Sequence, residues 1–307
     1  MEKVIVVIGP TSVGKTKMGV ALAKKFNGEV ISGDSMQIYK QMDIGTAKVT
    51  EEEKEDIIHH CVDILNPDET YSVHDFQQTV RKKITEITQR GHVPIIVGGT
   101  GLYIKAALYD YQFDEMENDH HAINEKYKDY TNEQLHDHLK SIDEESAKTL
   151  HFNNRRRVLR AIEIYETTGK RKSEMLEEQE HVCLYDAYFV GLTLPRDILY
   201  ERINKRVDVM MKNGLKEEMD QLYSQGLTRN HQSMKAIGYK EWFDYYDRQI
   251  DLNDVLELIK KHSRQYAKRQ YTWFKNQFDV HWYDVNLENF EQTIEQVTND
   301  IEKILKV

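Results

Sequence analysis

The chain has 307 residues, 39% apolar and 31% charged, with a formal net charge of −10. That length suits one α/β domain with an insertion, or two modest domains, and four prolines without a low-complexity tract exclude long disordered linkers. Cys61 and Cys183 are isolated without metal-type spacing, and no apolar run is long enough to span a bilayer.

Met1-Glu2-Lys3 leads straight into an apolar run, so no signal peptide and no membrane contact are expected, and a reduced, cytoplasmic location is the economical reading. Val4 to Ile8 are consecutive apolar, mostly β-branched residues and read as a fully buried strand. Gly9-Pro10-Thr11-Ser12-Val13-Gly14-Lys15-Thr16 follows at once, and Met18, Ala21, Leu22 and Phe26 then recur at helical spacing. Strand, G-x-x-x-x-G-K-T loop and helix together make a phosphate-cradling loop. Glycines let backbone N–H groups turn onto an anion, and the helix N-terminus adds positive potential. Lys15 is expected on the outer phosphate and the Thr16 hydroxyl on Mg²⁺.

Glu29 to Ser32 reads as a second strand, ending in Gly33-Asp34-Ser35-Met36-Gln37, and Cys61 to Leu65 as a short third. Tyr71 to Gln89 has helical periodicity. Val93 to Val97 is the next strand, and Gly98-Gly99-Thr100-Gly101 follows. Alternating strands and helices imply a parallel, doubly wound α/β sheet, whose ligands sit at the carboxyl ends of the strands. The phosphate loop, Asp34 and Thr100 each fall just past such an end, so they are expected to converge. Asp34 reads as a metal ligand, a general base or a capping residue. No apolar strand ends in Asp-Glu, which weakens a plain ATPase reading. Thr100 could offer its hydroxyl to a phosphate oxygen or simply shape a turn.

From Asp114 to Leu150 the chain is acidic, His-rich and helical, and is expected to be a small inserted domain. The core would then be 1–113 and 151–307. His120, His121, His136 and His138 there read as a solvated helical surface rather than a metal cluster. Ala187 to Leu194 reads as a returning strand, followed by helices over 198–211, 215–223, 235–246 and 254–274. A last strand over 278–282 and an amphipathic closing helix from Phe290 complete a helical C-terminal region.

Charge is segregated. Residues 110–149 hold twelve acids against four lysines, whereas His151 to Lys172 has seven Lys/Arg against two Glu, and Lys260 to Lys275 has six and no acid. Basic stretches beside acidic lobes suggest a polyanion-binding face. Asn154-Arg155-Arg156-Arg157-Val158-Leu159-Arg160 places Arg156 and Arg160 on one helix face, with Val158 and Leu159 opposite. Gln265 to Phe274, including Lys268 and Arg269, interleaves bases and aromatics, which suits RNA as well as it suits an ordinary amphipathic helix.

These stretches resemble the tRNA dimethylallyltransferase family, also called tRNA isopentenyltransferases. The resemblance runs through GPTSVGKT (9–16), SGDSMQIYKQMDIGTAK (32–48), VGGTGLYIKAAL (97–108), NRRRVLRAIEIYETTG (154–169), ERINKRVDVMMKNGL (201–215), MKAIGYKE (234–241) and QYAKRQYTWF (265–274). It implies a P-loop fold that moves a dimethylallyl group from its diphosphate to N6 of the adenosine adjacent to the anticodon. The diphosphate would lie on Gly9 to Thr16, with Lys15, Thr100 and Mg²⁺ on Thr16 taking up charge. Asp34 would accept the N6 proton. Ser35, Met36 and Gln37 would line the entry of the flipped base. The resemblance also places an arginine on the diphosphate, Arg206 first and Arg202 second. Arg156, Arg157, Val158, Leu159, Arg160, Lys268 and Arg269 would contact tRNA, with the protein a monomer. The competing readings are a nucleotide-dependent small-molecule kinase, an isopentenyltransferase of free adenine nucleotides and a non-catalytic RNA-binding module.

Overall fold

Five apolar residues in a row can be buried only if both faces of their strand are covered. In the computed structural model, which describes residues 1–111, 120–177 and 182–305, they form the centre of β1 (Lys3–Ile8). The chain continues through α1 (Lys15–Lys25), β2 (Gly28–Ser32), α2 (Glu51–Lys54), β3 (His59–His60), α3 (Val73–Gln89), β4 (Val93–Val97) and α4 (Gly101–Leu108). Five helices follow: α5 (His120–Lys126), α6 (Asn132–Ile142), α7 (Glu144–Thr149), α8 (Arg155–Thr168) and α9 (Lys172–Glu177). Then come β5 (Asp186–Thr193), α10 (Arg196–Lys212), α11 (Leu215–Ser224), α12 (Trp242–Tyr246), α13 (Leu252–Gln277), β6 (His281–Asp284) and α14 (Phe290–Leu305).

The sheet order is β3-β2-β4-β1-β5-β6, and every pair is parallel. Val4, Val6 and Ile8 join one core with α3 and α4, while Ile5 and Val7 join the other with α1 and α14. The doubly wound α/β expectation therefore holds. The register sets the site. Val97 pairs with Val7 on one side and Ser32 on the other, so the three loops after β1, β2 and β4 leave at one level. Gly98 lies against the backbone of Gly33, where a Cβ would come within 2.3 Å of its carbonyl carbon, so only glycine fits.

Three expected elements differ. The third strand is His59–His60, not Cys61 to Leu65, because Cys61 and Asp63 take left-handed φ of 60° and 55° that no strand continues through. The helix expected over 235–246 is a 3₁₀ turn (Ser233–Lys235) and then α12, because Ala236 between them is extended. The last strand is shifted to β6.

The chain divides into two compact units, Met1–Tyr109 with Cys183–Val307, and Asp110–Val182. The insertion thus runs past the expected Leu150, and its expected start near 114 lies outside the described residues. The reason is packing: α8 lends Val158, Leu159, Ala161 and Ile162 to a core with Leu135 and Leu139 of α6. His136 Nε2 lies 3.0 Å from the Ala147 carbonyl, and His138 Nε2 lies 3.0 Å from the Tyr127 hydroxyl, so both serve this packing. The side chains of His120 and His121 lie outside the described residues.

At the amino ends of the strands sits a buried carboxylate. Glu29, 2% exposed, accepts from Arg90 Nη2 at 2.7 Å and lies 2.6 Å from His60 Nε2 and 2.7 Å from His92 Nδ1. Burial pushes the carboxyl up, but hydrogen bonds from Arg90, His60 and His92 outweigh it, leaving it lowered from 4.5 to about 2. Because the folded value lies below the unfolded one, this contribution is complete above pH 4.5 and is lost as pH falls toward about 2. Glu29→Gln should cost about 1–3 kcal/mol in urea unfolding at neutral pH and less at about pH 3; equal losses at both would contradict this.

Candidate active site

The phosphate loop, the β2 end and the β4 end meet where the sequence places them. Two adjoining cavities open there. The first, about 530 Å³, is walled by Thr11, Ser12, Gly14, Lys15, Thr16, Asp34, Gln37, Gly98, Gly99, Arg202, Arg206 and Gln270, among others. The second, about 340 Å³, is walled by Ser35, Met36, Gly45, Met210, Ile237 and Arg269, among others. Thr11, Ser12, Asp34, Thr46, Ala47, Arg206 and Tyr266 belong to both.

Gly14 starts α1 with φ 102°, so the first-turn N–H groups of α1 open onto the loop. Gly9 and Pro10 carry the chain from β1 into the loop, and Val13 turns into the core. The Ser12 hydroxyl is buried without a hydrogen-bond partner. Lys15 Nζ donates to the Pro10 carbonyl at 2.8 Å. Burial and the nearby Arg206 charge lower the Lys15 ammonium to about 7, against the pull of Asp34. Two arginines of α10 reach the loop: Arg202 Nε donates to the Ser12 carbonyl at 3.0 Å and Arg206 Nη1 to Thr11 Oγ1 at 3.4 Å. Burial pushes Arg206 down too. Half-buried Lys15 and Arg206, with exposed Arg202 at the rim, put three cations over one loop, an arrangement built for a multiply charged anion.

Asp34 Oδ1 accepts the Met36 N–H at 2.9 Å, so it does shape its own turn. Its carboxyl is pushed up by burial, against the N–H groups and the Lys15 and Arg206 charges. It is a more basic carboxylate than an exposed one, as a proton acceptor should be. Thr100 is not on the wall of either cavity. Its Oγ1 accepts the Ser35 N–H at 3.1 Å and donates to Ser35 Oγ at 3.3 Å. The Gln37 amide is already engaged, accepting from Ser32 Oγ at 3.0 Å and donating to the Thr46 and Ala47 carbonyls at 3.4 Å.

The basic stretches separate by packing. Val158 and Leu159 are 0% and 5% exposed, so they are core residues and not RNA contacts, correcting their grouping with the arginines. Arg156 and Arg157 are exposed, and Arg160 Nη1 bonds Glu163 at 2.8 Å. Burial, then the charges of Arg157 and Arg160, push Lys172 down, so the cations of α8 and α9 form one patch. On α13, Lys268 is exposed, while Arg269 walls the second cavity with its guanidinium 5.8 Å from the Tyr266 ring centre.

Sequence reasoning missed Gln270. Its Oε1 accepts the Thr11 N–H at 3.0 Å and its Nε2 donates to the Gly99 carbonyl at 2.9 Å, tying the loop after β1 to the loop after β4. The signal was present: Ala267, Gln270 and Phe274 share the buried stripe of α13, and an amide there needs a polar partner.

Among the described residues no group of three or more His, Cys, Asp or Glu side chains is arranged to hold a metal, and no helix is long and apolar enough to cross a membrane.

Residues 37–277 match the family model described as IPP transferase. A protein named tRNA dimethylallyltransferase from Bacillus cereus is 54% identical over 287 residues, covering 92% of this chain and 90% of its own. The crystal structure of a tRNA delta(2)-isopentenylpyrophosphate transferase from Staphylococcus epidermidis is 47% identical, covers 99% of both chains and superposes with a TM-score of 0.74. A eukaryotic dimethylallyltransferase acting on tRNA is 32% identical, covering 99% of this chain and 79% of that one, with a TM-score of 0.86.

Proposed function

The chain belongs to the IPP transferase family, and from that premise we propose that it transfers a dimethylallyl group from dimethylallyl diphosphate to N6 of the adenosine adjacent to the anticodon in tRNA, releasing diphosphate. The observation that carries this reading is the meeting of two cavities at Asp34, one cationic and one partly apolar. One holds the donor's diphosphate and the other receives an extruded base, as enzymes acting on a base require.

Lys15, Arg202 and Arg206 bind the diphosphate and stabilise the charge that grows on it as the allylic C–O bond breaks. The buried Ser12 hydroxyl, lacking a protein partner, is a further donor to it. The adenine amine is weakly nucleophilic because its lone pair is delocalised into the ring. Asp34 takes its proton as the C–N bond forms. Thr100, by holding Ser35, fixes the turn that presents Asp34. The Thr16 hydroxyl on the first cavity's wall is the hard oxygen donor Mg²⁺ would take, and Mg²⁺ needs few protein ligands beside a substrate's phosphates. Bound there, it would neutralise charge on the leaving diphosphate. Arg156, Arg157, Lys268 and Arg269 hold the tRNA backbone. On this reading the chain acts as a monomer, in the cytoplasm where it meets tRNA.

Incubation with dimethylallyl diphosphate, Mg²⁺ and either unmodified tRNA or AMP, followed by mass analysis, tests the reading. Gain of one dimethylallyl group on tRNA supports it; gain on AMP alone would favour the free-nucleotide isopentenyltransferase, and ATP consumption with no prenyl transfer the kinase, which the named relatives do not favour.

Charge on α8 gives a separate prediction. Replacing Arg156 and Arg157 with Ala should lower the slope of log affinity for tRNA against log salt by about one unit each. Titrations over a salt series measure it, and an unchanged slope would take these arginines off the RNA.

A further inference from the structure

Glu218 lies in the first turns of α11, on a stretch rich in charge, where a carboxylate is ordinarily solvated. It is half-buried here and turned onto the backbone of a distant loop. Its Oε2 accepts the N–H groups of Asp43 at 2.8 Å and Ile44 at 2.7 Å, and its Oε1 accepts the Gly45 N–H at 3.0 Å. The Tyr239 hydroxyl donates to Oε1 at 2.7 Å. Three successive N–H groups aimed at one point form an anion nest, a concavity that elsewhere holds phosphate. This nest is filled by the protein's own carboxylate.

The loop it holds is a cavity wall. Gly45 faces the second cavity, and Thr46 and Ala47 face both. Gly45 lies flat against Tyr239, where a Cβ would come within 2.5 Å of the ring. The Gln37 amide bonds the Thr46 and Ala47 carbonyls from the other side. Buried Lys48 bonds the Tyr39 carbonyl, Asp43 and Asp63, closing the loop's base. Tyr239 packs on Gly45, and Lys48 pairs with Asp43 and Asp63 at the base; the carboxylate that takes all three N–H groups comes from α11. We propose that Glu218 is a positioning residue for the acceptor cavity: it fixes the Asp43–Ala47 backbone, and through it the wall that Gly45, Thr46 and Ala47 give the cavity, on which the target adenine seats. The proposal rests on the reading that this cavity takes the base.

Losing a charge-assisted clamp of this kind should cost about tenfold or more in kcat/KM for tRNA in Glu218→Ala. The affinity for inorganic diphosphate, which is set by Lys15 and the arginines, should stay within about twofold. Glu218→Gln has one acceptor oxygen for four donors and should lose activity in the same direction. Acetate at about 100 mM should enter the emptied nest of the Ala variant, restore part of its kcat/KM for tRNA and raise its Tm, with no such effect on the Gln variant. Wild-type kcat/KM in the Gln variant would overturn the proposal. So would an Ala variant that acetate neither stabilises nor reactivates. If the wild-type protein transfers nothing to tRNA, the functional reading fails instead, and acetate's effect on the Ala variant's Tm alone then decides whether Glu218 fills a nest.

Discussion

Replacing Asp34 with Asn is expected to lower single-turnover transfer by about 10²–10⁴, with the affinities for tRNA and dimethylallyl diphosphate within a few-fold of wild type. Asn keeps the size and the oxygen that accepts the Met36 N–H, so the turn after β2 should survive. It cannot take a proton. The surroundings of Asp34 make this loss costly. Burial raises its proton affinity, while Lys15 and Arg206 keep the charged form accessible. The measurement is single-turnover transfer at saturating substrates over a Mg²⁺ series, with equilibrium tRNA binding beside it. A loss that high Mg²⁺ restores would make Asp34 a metal ligand. A loss of about 1 kcal/mol in stability with turnover intact would make it only a turn residue. Transfer at the wild-type rate would remove the proton acceptor from the mechanism.

Lys15→Ala should cost about 10²–10³ in rate, the usual loss when one preorganised charged contact to a developing anion is removed. The same residue should leave a signature in binding. Burial and Arg206 lower its ammonium to about 7 in the free protein. A diphosphate seated on the loop favours the charged form, so the bound state holds the proton to higher pH. Above about pH 7, binding must then draw a proton from solvent, and affinity should fall by up to about tenfold per pH unit. Calorimetry of inorganic diphosphate at about pH 8, in two buffers of different protonation enthalpy, measures that uptake. Wild type should take up more protons than Lys15→Ala by up to one. Equal uptake in both, or near wild-type turnover in the variant, would move the donor away from this loop.

The parts of the site that were legible are those whose logic is local. Gly9 to Thr16 could be read because the whole anion cradle is one contiguous stretch after a strand and before a helix. Asp34 and Thr100 could be placed at the same edge because a parallel sheet sends every strand's carboxyl end the same way. Thr100 shows the limit: it lies at that edge, yet its hydroxyl bonds Ser35 and does not wall a cavity. Gln37 does wall one, but its amide is engaged by Thr46 and Ala47. The direction of a side chain in a loop depends on partners that the loop's own sequence does not name.

Periodicity and motif spacing are properties of neighbouring residues, so the strand and helix alternation, the doubly wound sheet, the phosphate loop and the two basic stretches could all be read along the chain. The extent of the second unit came from packing, since nothing local says that the apolar face of α8 packs on Leu135 and Leu139 rather than on the sheet. Folding alone separated Val158 and Leu159 from the arginines beside them. It also supplied Gln270, which meets the Thr11 N–H across a sequence separation of 259, and Glu218, which meets the Gly45 N–H across 173. A buried polar side chain takes whichever donor or acceptor the packed core brings within 3 Å or so of it. That choice belongs to the arrangement of whole helices on the sheet, not to any window of the chain.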